Sequence, residues 1–154
     1  YIFVPGTEAT LNAVTPDVNL KYYGAGHVVI SAADLSPQRK YIQFGVVLPG
    51  ILYGQEVKLE ELTVSYKTSN SASYIERTRL YLTNLNGTYS TIIDDSTPRN
   101  STTATHYSVT PSTDTWLSAD EGLLSVVFWL NFDSTAHTIT IYGLRLRLGH
   151  HYLY

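Results

Sequence analysis

The sequence predicts an all-β fold, an antiparallel, jelly-roll-like β-sandwich of about eight to ten strands. Three observations predict it. Leu123 to Leu148 reads as two long strands joined by a short polar turn. Turn signals recur at short spacing along the chain, the pattern of a sandwich built from many strands. Almost no segment carries a helical period.

The elements follow in order. Tyr1 to Val4 is a short apolar start, stopped by Pro5-Gly6. Thr7 to Gly26 is loop-like, broken at Thr15-Pro16-Asp17 and at Gly24-Ala25-Gly26. His27 to Ser31 reads as a buried strand, and Ser31 to Lys40 admits one helical turn. Tyr41 to Leu48 is a strand closed by Pro49-Gly50. Val57 to Lys67 alternates in its second half, with Leu62, Val64 and Tyr66 opposite Thr63, Ser65 and Lys67.

After a polar loop, Tyr74 to Thr83 sets Glu76, Thr78, Leu80 and Leu82 on one face. Ile75, Arg77, Arg79 and Tyr81 take the other. Asn86-Gly87 is the strongest turn signal and suits a two-residue type I′ hairpin, in which both central residues take φ > 0. Tyr89 to Ile93 therefore returns antiparallel. Asp94 to Thr105 is the longest polar stretch and reads as a surface loop. Tyr107 to Val109 and Thr115 to Leu117 are short strands around Pro111.

In Leu123 to Phe132, Leu124, Val126, Phe128, Leu130 and Phe132 share one face. Val127 and Trp129 lie on the other, so this strand reads as central and covered on both sides, with Trp129 in the core. In the last strand, Ile139 and Ile141 have the opposite parity to Leu144, Leu146 and Leu148. A strand reverses parity only by gaining a residue, which places a β-bulge at Tyr142-Gly143.

Composition bounds the function. A chain of 154 residues fits a single domain, 1–154, with a core of its own. Ten basic and thirteen acidic residues give a net charge of −3 without a basic stripe, which argues against nucleic acid. No apolar run is long enough to insert in a membrane as a helix. The chain has no cysteine, so disulfides and thiolate metal sites are excluded. It has no methionine either, which reads as a processed product or a segment of a longer protein. Thirteen tyrosines suit half-buried strands and contact surfaces alike.

The runs LEELTVSYKTSNSASYIERTRLYL, WLSADEGLLSVVFWLNF and HTITIYGLRLRLGH carry a resemblance. Roughly from Ile51 to His150, the chain resembles the β-sandwich domains that close repetitive bacterial surface proteins and phage fibres. The resemblance implies a tip or interaction domain on a longer stalk, often trimeric. It transfers no functional residues.

Candidate chemistry is sparse. Asp94, Asp95 and Asn100 are the best candidates for a structural Ca²⁺, which takes oxygen ligands from such loops. Adjacent histidines at His150 and His151 point to opposite faces of a strand and do not readily share an ion. No nucleophile elbow is present. Glu60 and Glu61 cannot both face one side of a regular strand, so they do not form a hydrolytic carboxylate pair. No catalytic residue is assigned. Trp116, Tyr22, Tyr23, Tyr53 and Tyr74 sit near loops and are candidates for stacking on sugar rings. Tyr1, Phe3, Tyr152, Leu153 and Tyr154 make apolar ends that a neighbouring subunit would bury, as in strand addition at a sheet edge.

The expectation is a non-catalytic structural or interaction domain of an extracellular, cell-surface or virion-surface assembly. It self-associates as a homo-oligomer, a trimer or polymer, through tyrosine-rich faces and terminal strands. The alternative is a carbohydrate-binding module with an aromatic platform, a surface glycan as partner and structural calcium.

Overall fold

The computed structural model describes residues 1–15, 17–47, 51–52, 55–84, 86–117 and 121–150. Tyr53, His151, Tyr152, Leu153 and Tyr154 lie outside the described residues. The strands are β1 (Ile2–Pro5), β2 (Thr10–Leu11), β3 (Val18–Tyr22), β4 (Val28–Ala32), β5 (Arg39–Val47), β6 (Ile51–Leu52) and β7 (Gln55–Thr68). They continue with β8 (Tyr74–Asn84), β9 (Tyr89–Asp95), β10 (Thr105–Val109), β11 (Thr115–Leu117), β12 (Glu121–Asn131) and β13 (Ile139–His150). A 3₁₀ turn, Gly6–Glu8, is the only helical element among the described residues.

The strands form two antiparallel sheets. One has eight strands in the path β10-β7-β13-β4-β3, with β1 beside β13 and both β11 and β6 beside β7. The other has five, in the order β2-β5-β12-β8-β9. The chain passes from sheet to sheet at β1–β2, β2–β3, β4–β5, β5–β6, β7–β8, β9–β10, β11–β12 and β12–β13, the winding of a jelly roll. The two long strands β12 and β13 are therefore not a hairpin. The turn between them is a corner, tied to the β7–β8 corner by Asp133 N–H to Ser73 Oγ (3.0 Å) and Thr138 N–H to Ser69 Oγ (2.8 Å).

The core fills the space between the sheets. Alternate residues Leu124, Val126, Phe128 and Leu130 of β12 point inward, as their spacing predicts, and meet Ile42 and Phe44 of β5. Phe44 and Phe128 meet edge to face at 5.8 Å. Tyr107 bridges the sheets, its hydroxyl 2.6 Å from Thr78 Oγ1. Burial pushes its phenol well above the ordinary tyrosine range.

Several expectations are corrected. The region Thr7 to Gly26 is not all loop: β3 runs through it and pairs with β4 from Val18↔Ala32 to Tyr22↔Val28. The Asn86-Gly87 hairpin is not closed as a two-residue loop. Gly87 N–H bonds the Asn84 carbonyl (3.0 Å), Asn84 N–H bonds the Thr88 carbonyl (2.9 Å), and Gly87 takes the left-handed position at φ 81°. In β8, a bulge at Glu76 turns the N-terminal half over, so Ile75 joins Thr78, Leu80 and Leu82 in the interior. The bulge at Tyr142-Gly143 is present, with Ile141 opposite Tyr66 and Gly143 opposite Ser65.

Candidate functional site

The outer face of the eight-stranded sheet carries an open groove of about 410 Å³, within the range of ligand sites. Strand register builds it. One cross-strand row reads Phe3, Arg145, Thr63, Ser108 across β1, β13, β7 and β10. The next reads Pro5, Gly143, Ser65, His106 across the same strands. The second row is short in its middle, at Gly143 and Ser65, which makes the trough. Phe3, Arg145, His106 and Tyr142 line it.

Glycine is required at 143 for a stated reason. A Cβ there would lie 2.9 Å from the Val4 carbonyl oxygen, so only glycine lets β1 approach β13. A Cβ on Gly6 would overlap the Ile141 carbonyl oxygen. These two positions seat the groove wall. Tyr142 is the extra residue of the bulge, and the bulge brings its ring into the groove.

The polar floor is connected. Thr63 Oγ1 lies 2.9 Å from Ser108 Oγ and 3.1 Å from Glu61 Oε1, and it accepts from Arg145 Nη2 at 3.3 Å. Phe3 is 72% exposed and Tyr1 71%, with ring centroids 6.5 Å apart. The Arg145 guanidinium lies 5.1 Å from the Tyr1 ring. Apolar ring faces and hydroxyl, imidazole and guanidinium donors thus meet in one open depression.

Among the described residues, the aromatic residues singled out in the sequence do not gather into one platform. Trp116 lies on β11 opposite Lys58, whose ammonium is 5.8 Å from the indole. Tyr74 starts β8 in the other sheet. Tyr22 donates its hydroxyl to the Ala9 carbonyl at 2.8 Å. Tyr23 is the exception: it stacks on His27 at 4.7 Å, and His27 lies 5.6 Å from Tyr142, so a chain of rings leads to the groove.

Tyr1 and Phe3 are exposed on this chain, and β1 is paired with β13 of its own chain, Ile2↔Leu146 through Pro5↔Gly143. Glu60 and Glu61 also depart from expectation. A bulge at Glu60 puts both carboxylates on the arginine side, Glu60 3.2 Å from Arg147 and Glu61 3.7 Å from Arg145.

The outer face of the five-stranded sheet is different. Trp129 is not in the core. It points outward, and the guanidinium carbons of Arg39, Arg77 and Arg79 each lie within 4.7 Å of its ring. Carboxylates hold those arginines: Glu76 bonds Arg39 (Nε–Oε2 2.8 Å), and Asp94 bonds Arg77 through both oxygens (Nη2–Oδ2 2.6 Å) and Arg79 at 3.2 Å. The arginines do here what a third layer does elsewhere, and they occupy the indole.

This face settles where the calcium candidates go. Arg77, then Arg79, holds the Asp94 carboxyl below the usual carboxylate range. Asp95, the next residue, bonds Thr97 and Arg99 (2.6 and 2.9 Å) instead. Burial raises the Asp95 carboxyl, and those bonds outweigh it, so the net shift is also downward. The Asn100 carbonyl accepts from Thr68 Oγ1 at 3.2 Å. Among the described residues no group of three or more His, Asp or Glu could hold a metal ion.

No protein-family model and no curated protein matches the chain. Solved structures match in shape. The chain is similar to a carbohydrate-binding module, CBM36 in complex with calcium and xylotriose, at 10% identity and a TM-score of 0.55 over 96% of this chain and 100% of that one. It is similar to the CBM36-1 domain of a multidomain xylanase from the hindgut metagenome of Trinervitermes trinervoides, at 10% identity and a TM-score of 0.55 over 95% of each chain. It is also similar to the enzymatically active domain of tailspike protein 4 of bacteriophage CBA120, at 13% identity and a TM-score of 0.55, over 96% of this chain and 20% of that one. The likeness is one of fold: an antiparallel β-sandwich.

Proposed function

We propose that the chain is a non-catalytic carbohydrate-binding module that takes a glycan in the groove of the eight-stranded sheet. The observation that carries this reading is the row Phe3–Arg145–Thr63–Ser108, which sets an exposed ring beside a connected set of hydroxyl and guanidinium donors. A sugar offers the complement, an apolar ring face and a rim of hydroxyls. The sandwich of the module bound to calcium and xylotriose supports the reading, since a fold of this shape carries such a ligand. Calcium plays no part in the groove as proposed. An extracellular or virion-surface setting, at the tip of a longer protein, goes with this reading.

The test is titration calorimetry against a panel of soluble oligosaccharides, with Phe3→Ala, Tyr142→Ala and Trp116→Ala. The first two are expected to weaken binding at least tenfold, about 1.4 kcal/mol, and Trp116→Ala to leave it unchanged. Binding that depends on Trp116 and ignores Phe3 and Tyr142 would move the site off this face.

A second reading keeps self-association, because Tyr1 and Phe3 expose adjoining rings. It expects a trimer or polymer by light scattering, with and without a calcium chelator. A monomer in both conditions removes it.

A further inference from the structure

Arg145 differs from the other arginines of the chain. Arg39, Arg77, Arg79, Arg99 and Arg147 each have a carboxylate oxygen within 3.2 Å. Arg145 stands 3.7 Å from Glu61, beyond hydrogen-bond reach, and its Nε–H, like that of Arg99, is buried without a partner. A buried donor left unpaired is destabilising unless something accepts from it. The Arg145 side chain is partly exposed and lines the groove.

The rest of the groove suits an anion. His106 lines the same trough; no lining residue is Asp or Glu, and the one carboxylate at the floor, Glu61, is engaged by Thr63 Oγ1 at 3.1 Å. Arg145 is the direct cross-strand partner of Phe3, so a ring stacked on Phe3 would place a substituent at the guanidinium. Thr63 Oγ1 and Tyr1 fix the guanidinium, from Nη2 and from its face respectively. The guanidinium is a planar fork, the shape that pairs with a planar carboxylate, on a side chain that is 42% exposed.

Building on the carbohydrate-binding reading, we propose that the groove selects an acidic glycan, one containing uronic acid, with Arg145 pairing the sugar carboxylate. Phe3 stacks on the ring that bears it, and His106 faces the same trough as a second donor.

The experiment is calorimetry of the full chain with oligogalacturonate, with the matching neutral galactan oligomer and with a sulfated galactan, at low and at half-molar salt. The uronate oligomer is expected to bind at least about tenfold tighter than the neutral one at low salt, with the gap narrowing in high salt. Arg145→Gln should weaken uronate binding more than neutral binding and so erase that gap. Arg145→Lys keeps the charge without the planar fork and should restore only part of it. Melting curves of both variants report whether the fold persists, and Arg145→Lys serves if Arg145→Gln does not fold.

Equal affinity for neutral and acidic oligomers would overturn the proposal and leave the module reading standing. A preference that survives in Arg145→Gln would overturn it too. Tighter binding of the sulfated galactan would replace uronate by sulfate as the ligand class. Failure of every oligosaccharide would take the module reading down with it.

Discussion

Lys40 occupies an inward position on β5 and is fully buried, which a lysine tolerates only with partners. Asp17 and Asp34 supply them from the connections before β3 and after β4, the second at 3.2 Å. Lys40→Met keeps the volume and strips those carboxylates of their cation. The expected loss is about 3 kcal/mol, the lower end for a broken buried pair because both aspartates keep some contact with water. Urea denaturation reads it, and an unchanged midpoint would show that the pair does not hold the end of the sandwich. Asp34 and Asp94 both have carboxyls held below the usual value of 3.8, Asp34 chiefly by the Ser36 N–H and Asp94 chiefly by Arg77. A lowered folded pKa contributes stability that is complete above the unfolded value and is lost as pH falls through the folded one. The melting temperature should therefore hold from neutral pH down to about pH 4 and fall below it. Asp94→Asn, which removes one such group, should make that acid limb shallower. An acid limb as steep as that of the unaltered chain would mean the Arg77–Asp94 contact does not persist in solution.

The bulges decide which faces the strands present. The one at Tyr142 was legible because apolar parity is clear on both sides of it. Ile139 and Ile141 disagree with Leu144 and Leu146, and only an inserted residue reconciles them. The one at Glu76 was not legible, because Glu76, Thr78, Leu80 and Leu82 imitate an unbroken alternation while Ile75 is the residue buried. The same limit hid the role of Trp129: hydrophobicity placed it inside, whereas the arginines that cover it come from β5 and β8, and only register reveals them. Gly143→Ala tests the seat of β1. Its added carbon meets backbone, which does not yield as a side chain does, so about 1–3 kcal/mol of stability should go, with glycan binding weakened too. Gly149→Ala is the comparison. Its added carbon meets only the flexible Glu60 side chain, and the expected change is within about 0.5 kcal/mol. Equal effects of the two would remove the argument from close strand approach.

At the scale of the molecule, the sandwich itself was legible, since alternation, turn spacing and a missing helical period are all local. The groove was not. Phe3 and Arg145 belong to the first and last strands, and no local pattern pairs them. Arg145 and Arg147 alternate with Leu144, Leu146 and Leu148 along β13, but what faces them across the sheet depends on a register fixed by the whole fold. That pairing has a kinetic consequence. β13 has β7 along one edge and both β4 and β1 along the other, so the eight-stranded sheet has no middle until residues 139–150 are available. Loop closure across such separations is slow, and refolding from urea should take milliseconds to seconds, in contrast to the microseconds of small helical bundles. A chain still being synthesised would present Leu59, Leu62 and Val64 of β7 without their neighbour, a surface that invites aggregation until the last strand arrives and closes it.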